Sequence, residues 1–264
     1  MGEAIVVTSG KGGVGKTTSS ANIGTALALL GKKVCMVDTD IGLRNLDVVM
    51  GLENRIVFDI VDVATGSSRL EQALIRDKRF DHLFLLPAAQ TKDKLALTVE
   101  AMQKIVAGLK GQFEYVIIDC PAGIEHGFRV AVTGADQAIV VTTPEQAAVR
   151  DADRVIGLLE KERMPSPKLI INRIRPHMMK NGDMLDIDDI INILSLDLLG
   201  IVPDDEQVIK AANQGEPTVL KPDSRASIAY RNIARRILGD PVPLMNLQTE
   251  SGFLYRMRRL IGRR

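Results

Sequence analysis

Short apolar runs rich in β-branched residues alternate along the chain with longer stretches of helical periodicity. The runs are Ala4–Thr8, Val34–Asp38, Leu83–Leu86, Tyr115–Asp119, Ala138–Thr142, Lys168–Asn172 and Leu198–Val202. Several are apolar throughout, the pattern of strands covered on both faces of a parallel sheet. Between them, Thr17–Leu30, Leu95–Leu109, Ala147–Glu162, Asp205–Gln214 and Ala226–Leu238 read as helices, the first ending at Gly31. This alternation predicts an α/β fold: a doubly wound, mostly parallel sheet with helices on both faces and right-handed crossovers. No internal repeat or low-complexity tract interrupts it.

The texture changes near the C-terminus. Gly239-Asp240-Pro241-Val242-Pro243 stops the last core helix and a polar stretch follows. The expected division is a core of residues 1–239, a linker of 240–252 and a separate element of 253–264. On a wheel of 100° per residue, Phe253, Leu254, Met257, Leu260 and Ile261 fall within an arc of about 120°. Arg256, Arg258, Arg259 and Arg263 lie outside that arc, and Arg264 falls within it. Apolar residues on one side and arginines on the other suit a helix lying on an anionic membrane surface.

Charge and composition sharpen this picture. The whole chain carries +1, and the tail holds five arginines and no acid, so the preceding 252 residues stand at −4. Aromatics are 3% with no Trp, too few to stack many bases, and the body has no net positive field. No specific nucleic-acid partner is expected. Cys35 and Cys120 lie in apolar runs without a CxxC pair, so buried, reduced thiols are expected. No apolar run approaches the ~18 residues that span a bilayer. The chain enters a strand within four residues, so no signal peptide is expected, and Val6 stands where a myristoylation motif needs Ser or Thr.

The candidate chemistry begins at Gly10-Lys11-Gly12-Gly13-Val14-Gly15-Lys16-Thr17, which matches G-x-x-x-x-G-K-[ST] between a strand and a helix. Glycines let successive N–H groups turn inward onto phosphate oxygens, and the helix N-terminus adds its positive end. Lys16 is placed for the β- and γ-phosphates of ATP and Thr17 for magnesium, with Thr18 continuing the cradle. After the second strand comes Asp38-Thr39-Asp40, carboxylates at a strand end that face the same phosphates. Asp40 is the candidate for orienting the attacking water; Asp38 could hold a magnesium-bound water or a switch contact. Tyr115–Asp119 fits a Walker B strand, with Asp119 holding magnesium through water. Pro121-Ala122-Gly123 follows, and the Gly123 amide could sense the γ-phosphate.

Lys11 is a second lysine that an ordinary phosphate loop does not need. With it, Lys11-Gly12-Gly13-Val14-Gly15-Lys16-Thr17-Thr18 resembles the deviant Walker A box of the ParA/MinD family of P-loop ATPases. The resemblance covers essentially the whole chain. It implies an ATPase with magnesium, dimerised by ATP, in which Lys11 reaches the partner's nucleotide. It also implies that Asn172-Arg173 and Pro203-Asp204-Asp205 hold adenine; for Asp204 the other reading is a helix N-cap. Leu43-Arg44-Asn45-Leu46-Asp47, the loop 87–94, and Thr143-Pro144-Glu145 running into Arg150–Arg154 are similar to the branch that places the division septum. Members of that branch recruit the inhibitor MinC to the inner membrane and in many species are released by MinE. Asn45, Asp151 and Asp153 are then expected at dimer or partner contacts. The alternatives are a flagellar-number regulator of the same family or a ParA-type DNA-segregation ATPase, which would need a basic body. Iron–sulfur carriers of this class need interface cysteines, which Cys35 and Cys120 do not suit. A scaffold that binds ATP without turnover is less compatible with Asp40.

Overall fold

A computed structural model describes residues 1–247; the expected tail helix 253–264 and residues 248–252 of the linker lie outside the described residues. The strands are β1 (Glu3–Thr8), β2 (Val34–Asp38), β3 (Ile75–Arg76), β4 (Leu83–Leu86), β5 (Tyr115–Asp119), β6 (Gln137–Thr142), β7 (Lys168–Ile174) and β8 (Asp197–Pro203). They form one sheet in the order β3-β4-β2-β5-β1-β6-β7-β8. Every pairing is parallel except the edge pair β3–β4. Strand β1 lies between β5 and β6, so the chain winds outward in both directions from the strand that carries the phosphate loop. Such a switch point opens a crevice beyond the carboxyl ends of the strands.

The helices are α1 (Lys16–Leu29), α2 (Leu46–Met50), α3 (Ile60–Ala64), α4 (Leu70–Ala73), α5 (Val99–Lys110), α6 (His126–Val132), α7 (Gln146–Lys161), α8 (Pro176–Lys180), α9 (Ile187–Leu194), α10 (Glu206–Asn213) and α11 (Arg225–Ile237). Alternate residues of each strand point to opposite faces. Ala4 and Val6 of β1 join the core packed by α5, α6, α7 and α9. Ile5 and Val7 join the core packed by α1, α2 and α11. Each central strand is thus apolar along its middle because both faces are covered.

The expected fold class holds, with local corrections. The segment expected as one helix over Leu95–Leu109 is a 3-10 turn at Lys94–Ala96 followed by α5. Thr98 breaks it, because its side chain caps the new helix by accepting from the Ala101 amide at 3.2 Å. Strand β7 runs past Asn172 to Ile174, with irregular pairing beyond Ile171 and Arg173 at φ 55°. Cys35 and Cys120 are free and fully buried, as expected.

Candidate nucleotide site

The phosphate loop occupies the turn between β1 and α1. Helix α1 begins at Gly15 in the left-handed region, φ 96°, with no side-chain cap on its first amides. Those N–H groups are left for an incoming anion. A Cβ at Gly15 would lie 2.2 Å from Nδ2 of Asn172, so only glycine fits beside that side chain. Asn172 is 5% exposed; its Nδ2 donates to the Val14 carbonyl at 2.8 Å and its Oδ1 accepts from the Arg173 amide at 2.9 Å. It therefore pins the loop from across the sheet. At the other end of the loop, Gly10 packs against the backbone of Asp151 on α7, where a Cβ would meet the carbonyl oxygen at 2.0 Å.

Inside the turn, Lys16 Nζ stands 3.3 Å from Asp119 Oδ1, with both side chains buried. Burial pulls the lysine pKa down, but the Asp119 carboxylate, with Cys120 and Asp40 beyond it, outweighs that and raises it. The lysine is fully charged where triphosphate oxygens would lie. Ser20, one turn along α1, donates to the same Asp119 oxygen at 2.9 Å. The other oxygen, Oδ2, is buried and has no hydrogen-bond partner among the described residues. An unpaired carboxylate oxygen is a hard donor that fits magnesium or its bound water, and the half-buried Thr17, next in sequence to Lys16, offers a hydroxyl of the same kind.

Asp38 is fully buried beside Asp119 in the adjacent strand. Burial and the Asp119 charge push its pKa up to about 8. One oxygen accepts from the Asp40 amide at 2.9 Å and the other from the Leu46 amide at 3.1 Å. Through these two bonds the carboxylate holds residues 39–46 over the strand end. Asp40 is half-buried and lines a cleft of ≈ 170 Å³ with Thr39, Leu43, Pro121, Ala122 and Glu125. Gly123, at φ 98°, sits in the second of the two loops bounding that cleft. Lys11, Gly12, Gly13 and Asn45 are exposed, as is Asp153 on α7, while Asp151 is half-buried with Arg154 at 3.6 Å.

A second cleft of ≈ 190 Å³ opens on the far side of Gly15. It gathers Gly15, Thr18, Asn172, Arg173, Pro203, Asp204 and Asp205, all expected at the site from distant parts of the sequence. It also contains Arg175, Val208, Ile209 and Tyr230, which the sequence did not single out. The Tyr230 hydroxyl bonds Ser19 at 3.1 Å, and burial raises its pKa to about 12. The helix cap belongs to Asp205, not Asp204: Asp205 accepts from the Gln207 amide at 2.9 Å and from the Ser224 hydroxyl at 2.7 Å. Asp204 instead pairs with Arg175 at 2.6 Å. Ser20 carried a local signal, four residues after Lys16 on one helix face; Arg175 and Tyr230 carried none, since only the tertiary fold brings them here.

A glycine loop at the head of an uncapped helix, a buried lysine–aspartate pair at its centre and a second cleft beside it define a P-loop nucleotide-binding protein. The CobQ/CobB/MinD/ParA nucleotide binding domain family matches residues 5–219. The septum site-determining protein MinD of Bacillus subtilis (strain 168) is 65% identical over 265 residues, covering 99% of both chains. The MinC:MinD cell division protein complex of Aquifex aeolicus contains a chain with 50% identity and TM-score 0.86, covering 92% of this chain and 98% of that one. MinD of Pyrococcus horikoshii OT3, solved with Mg-ADP, has 28% identity and TM-score 0.82, covering 92% of this chain and 100% of that one. The chain belongs to the MinD family of septum site-determining proteins.

Proposed function

We propose that the chain is a magnesium-dependent ATPase that dimerises on ATP, docks on the anionic inner face of the cell membrane and recruits the septum inhibitor MinC, so placing the division site. The observation that carries the reading is the charged Lys16–Asp119 pair under the uncapped amides of α1, with a base-sized cleft across Gly15. Gly10–Thr18 receive the phosphates, and Lys16 neutralises their charge. Asn172, Arg173, Pro203, Asp204 and Asp205 hold adenine; the Asn172 amide keeps one N–H beyond its bond to Val14 for the base. Thr17 and Asp119 hold magnesium, which when bound withdraws charge from the transferring phosphoryl group. Asp40 orients the attacking water and accepts its hydrogen bond as the β–γ bridge breaks to ADP and phosphate. The Gly123 amide contacts the γ-phosphate, and Lys11, on the exposed rim, meets the nucleotide of the second subunit.

The Aquifex aeolicus complex supports MinC as partner, and MinE or another topological factor is the expected release partner. Relatives at 65% and 47% identity are septum site-determining proteins, which favours division over the flagellar and DNA-segregation readings. In domain terms, residues 1–239 bind nucleotide, 240–252 link and 253–264 reach the membrane. No helix among the described residues is long and apolar enough to cross a membrane. The test is Asp40→Ala with magnesium, anionic vesicles and partner present. The variant should bind ATP as the parent does and lose nearly all turnover, because water positioning acts in the transition state more than in the ground state. Parental turnover would remove Asp40 from this role.

A further inference from the structure

Away from the nucleotide, helices α1 and α11 lie side by side on one face of the sheet and leave a groove of ≈ 390 Å³ between them. It is lined by Ala26, Leu29, Leu30, Ile228, Arg231 and Arg235. Leu29, Leu30 and Ile228 are 42%, 43% and 44% exposed. Single exposed aliphatics are ordinary, but three in one groove mark a contact surface.

The charge carried by the two helices away from the nucleotide is of one sign. Neither helix contains an acid, and α11 carries Arg225, Arg231, Arg235 and Arg236. Three of these are held by backbone carbonyls, which fix a guanidinium without neutralising it. Arg231 donates to Val219 at 2.9 Å, Arg236 to Leu199 at 2.9 Å and Val242 at 2.8 Å, and Arg225 to Asn246 at 3.3 Å. Among the described residues the one ion pair of this helix is Arg235–Asp240 at 3.0 Å, with both side chains about half exposed. Exposed pairs of that kind hold little charge back from a competing anion.

The groove also adjoins the path of the chain. Arg236 and Arg225 clamp residues 242–246 along α11, so this stretch of chain runs back beside the helix. On a 100° wheel, Ile228, Arg231, Asn232 and Arg235 span about 100° next to the flank that clamps it. Apolar side chains among arginines, on helices that contain no acid, repeat on the folded body the composition of 253–264.

We propose that the α1–α11 groove is a second membrane contact, which takes an anionic lipid surface and fixes how the body lies on it. This rests on the membrane-docking reading above. The groove is on a face of the sheet and the nucleotide at its carboxyl edge, so membrane and dimer contacts can form together. A protein partner offering an acidic amphipathic helix is the competing occupant.

The experiment uses the full chain with ATP, magnesium and phosphatidylglycerol/phosphatidylcholine vesicles. Asn232→Cys is labelled with a polarity-sensitive dye; Cys35 and Cys120 are buried, and burial raises both thiol pKa values, so neither competes for label. Dye emission should shift to the blue on anionic but not neutral vesicles. Leu30→Ser with Ile228→Ser should weaken vesicle binding about tenfold, the loss of part of two aliphatic side chains. Nucleotide affinity should stay unchanged and report an intact fold. Vesicle binding without a shift, at parental affinity in the double variant, overturns the groove contact and leaves tail docking standing. A shift that needs MinC or another partner protein overturns it in favour of protein docking. If the parent chain binds no vesicles, the membrane reading itself falls, and the groove contact with it.

Discussion

Removing the Ser20 hydroxyl isolates one part of the site without touching the nucleotide. Ser20 is fully buried and donates to Asp119 Oδ1 at 2.9 Å, with the Lys16 carbonyl at 3.1 Å as its other acceptor. The bond to the carboxylate fixes its rotamer and leaves Oδ2, which has no partner among the described residues, available to the metal shell. Hydrogen bonds to charged groups contribute roughly 1.5–3 kcal/mol. Alanine recovers about 0.5 kcal/mol of helix propensity at the same position. Ser20→Ala should therefore cost the fold only about 1–2 kcal/mol, yet let the Asp119 carboxylate turn. If about 1.4 kcal/mol of that loss falls on metal binding, the magnesium concentration for half-maximal effect rises about tenfold. The assay is a magnesium titration of fluorescent ATP analogue binding, with thermal melting as the control on folding. Nucleotide affinity at saturating magnesium should be nearly parental. An unchanged magnesium midpoint in a folded Ser20→Ala protein would refute the positioning argument.

Gly15→Ala must relieve a 2.2 Å approach of its Cβ to Asn172 while holding φ 96°. Left-handed backbone costs an L-residue roughly 1–2 kcal/mol, so ATP affinity measured by calorimetry should drop at least about tenfold, and unchanged affinity would contradict the loop geometry. Asp38, with its pKa raised to about 8, holds a proton that the unfolded chain, titrating near 4, gives up earlier. The contribution of Asp38 to the stability of the nucleotide-free protein is then full below about pH 4 and is lost as pH rises toward 8. Urea unfolding from pH 5 to 9 should show that decline, with a flatter slope in Asp38→Asn; a flat parental profile would count against the buried carboxylate pair.

Much of this architecture was legible in the sequence because its signals are local. The seven strands β1, β2 and β4 to β8 read as short apolar runs, and Gly10–Thr17 and Asp119 declare themselves by spacing. The base cleft was legible through resemblance: Asn172, Arg173 and Pro203–Asp205 meet at Gly15 although the sequence separates them widely. What stayed hidden depends on tertiary contact. Strand β3 is two residues long and exists through its antiparallel pairing with β4. Helix α2 has five residues, and its first amide is tied to Asp38 across the loop. Helix α3 rests on a capping box between Asp59 and Asp62, which Lys92 reinforces at 3.0 and 2.6 Å from the loop beyond β4. None of these short pieces has enough turns to show periodicity. The raised pKa of Asp38 likewise follows from a neighbour in the adjacent strand, 81 positions away along the chain.

The central claim is that ATP controls membrane docking through a dimer. Its most direct test is sedimentation of the full chain with anionic vesicles in ATP and in ADP, beside Lys11→Ala and a chain ending at residue 252. On this reading two tails on one dimer would bind with avidity that one tail lacks. The parent should pellet with ATP and stay in solution with ADP, while Lys11→Ala and the shortened chain stay in solution with either nucleotide. Equal pelleting of the parent in ADP and ATP, or ATP-dependent pelleting that survives loss of Lys11 or of residues 253–264, would contradict the account.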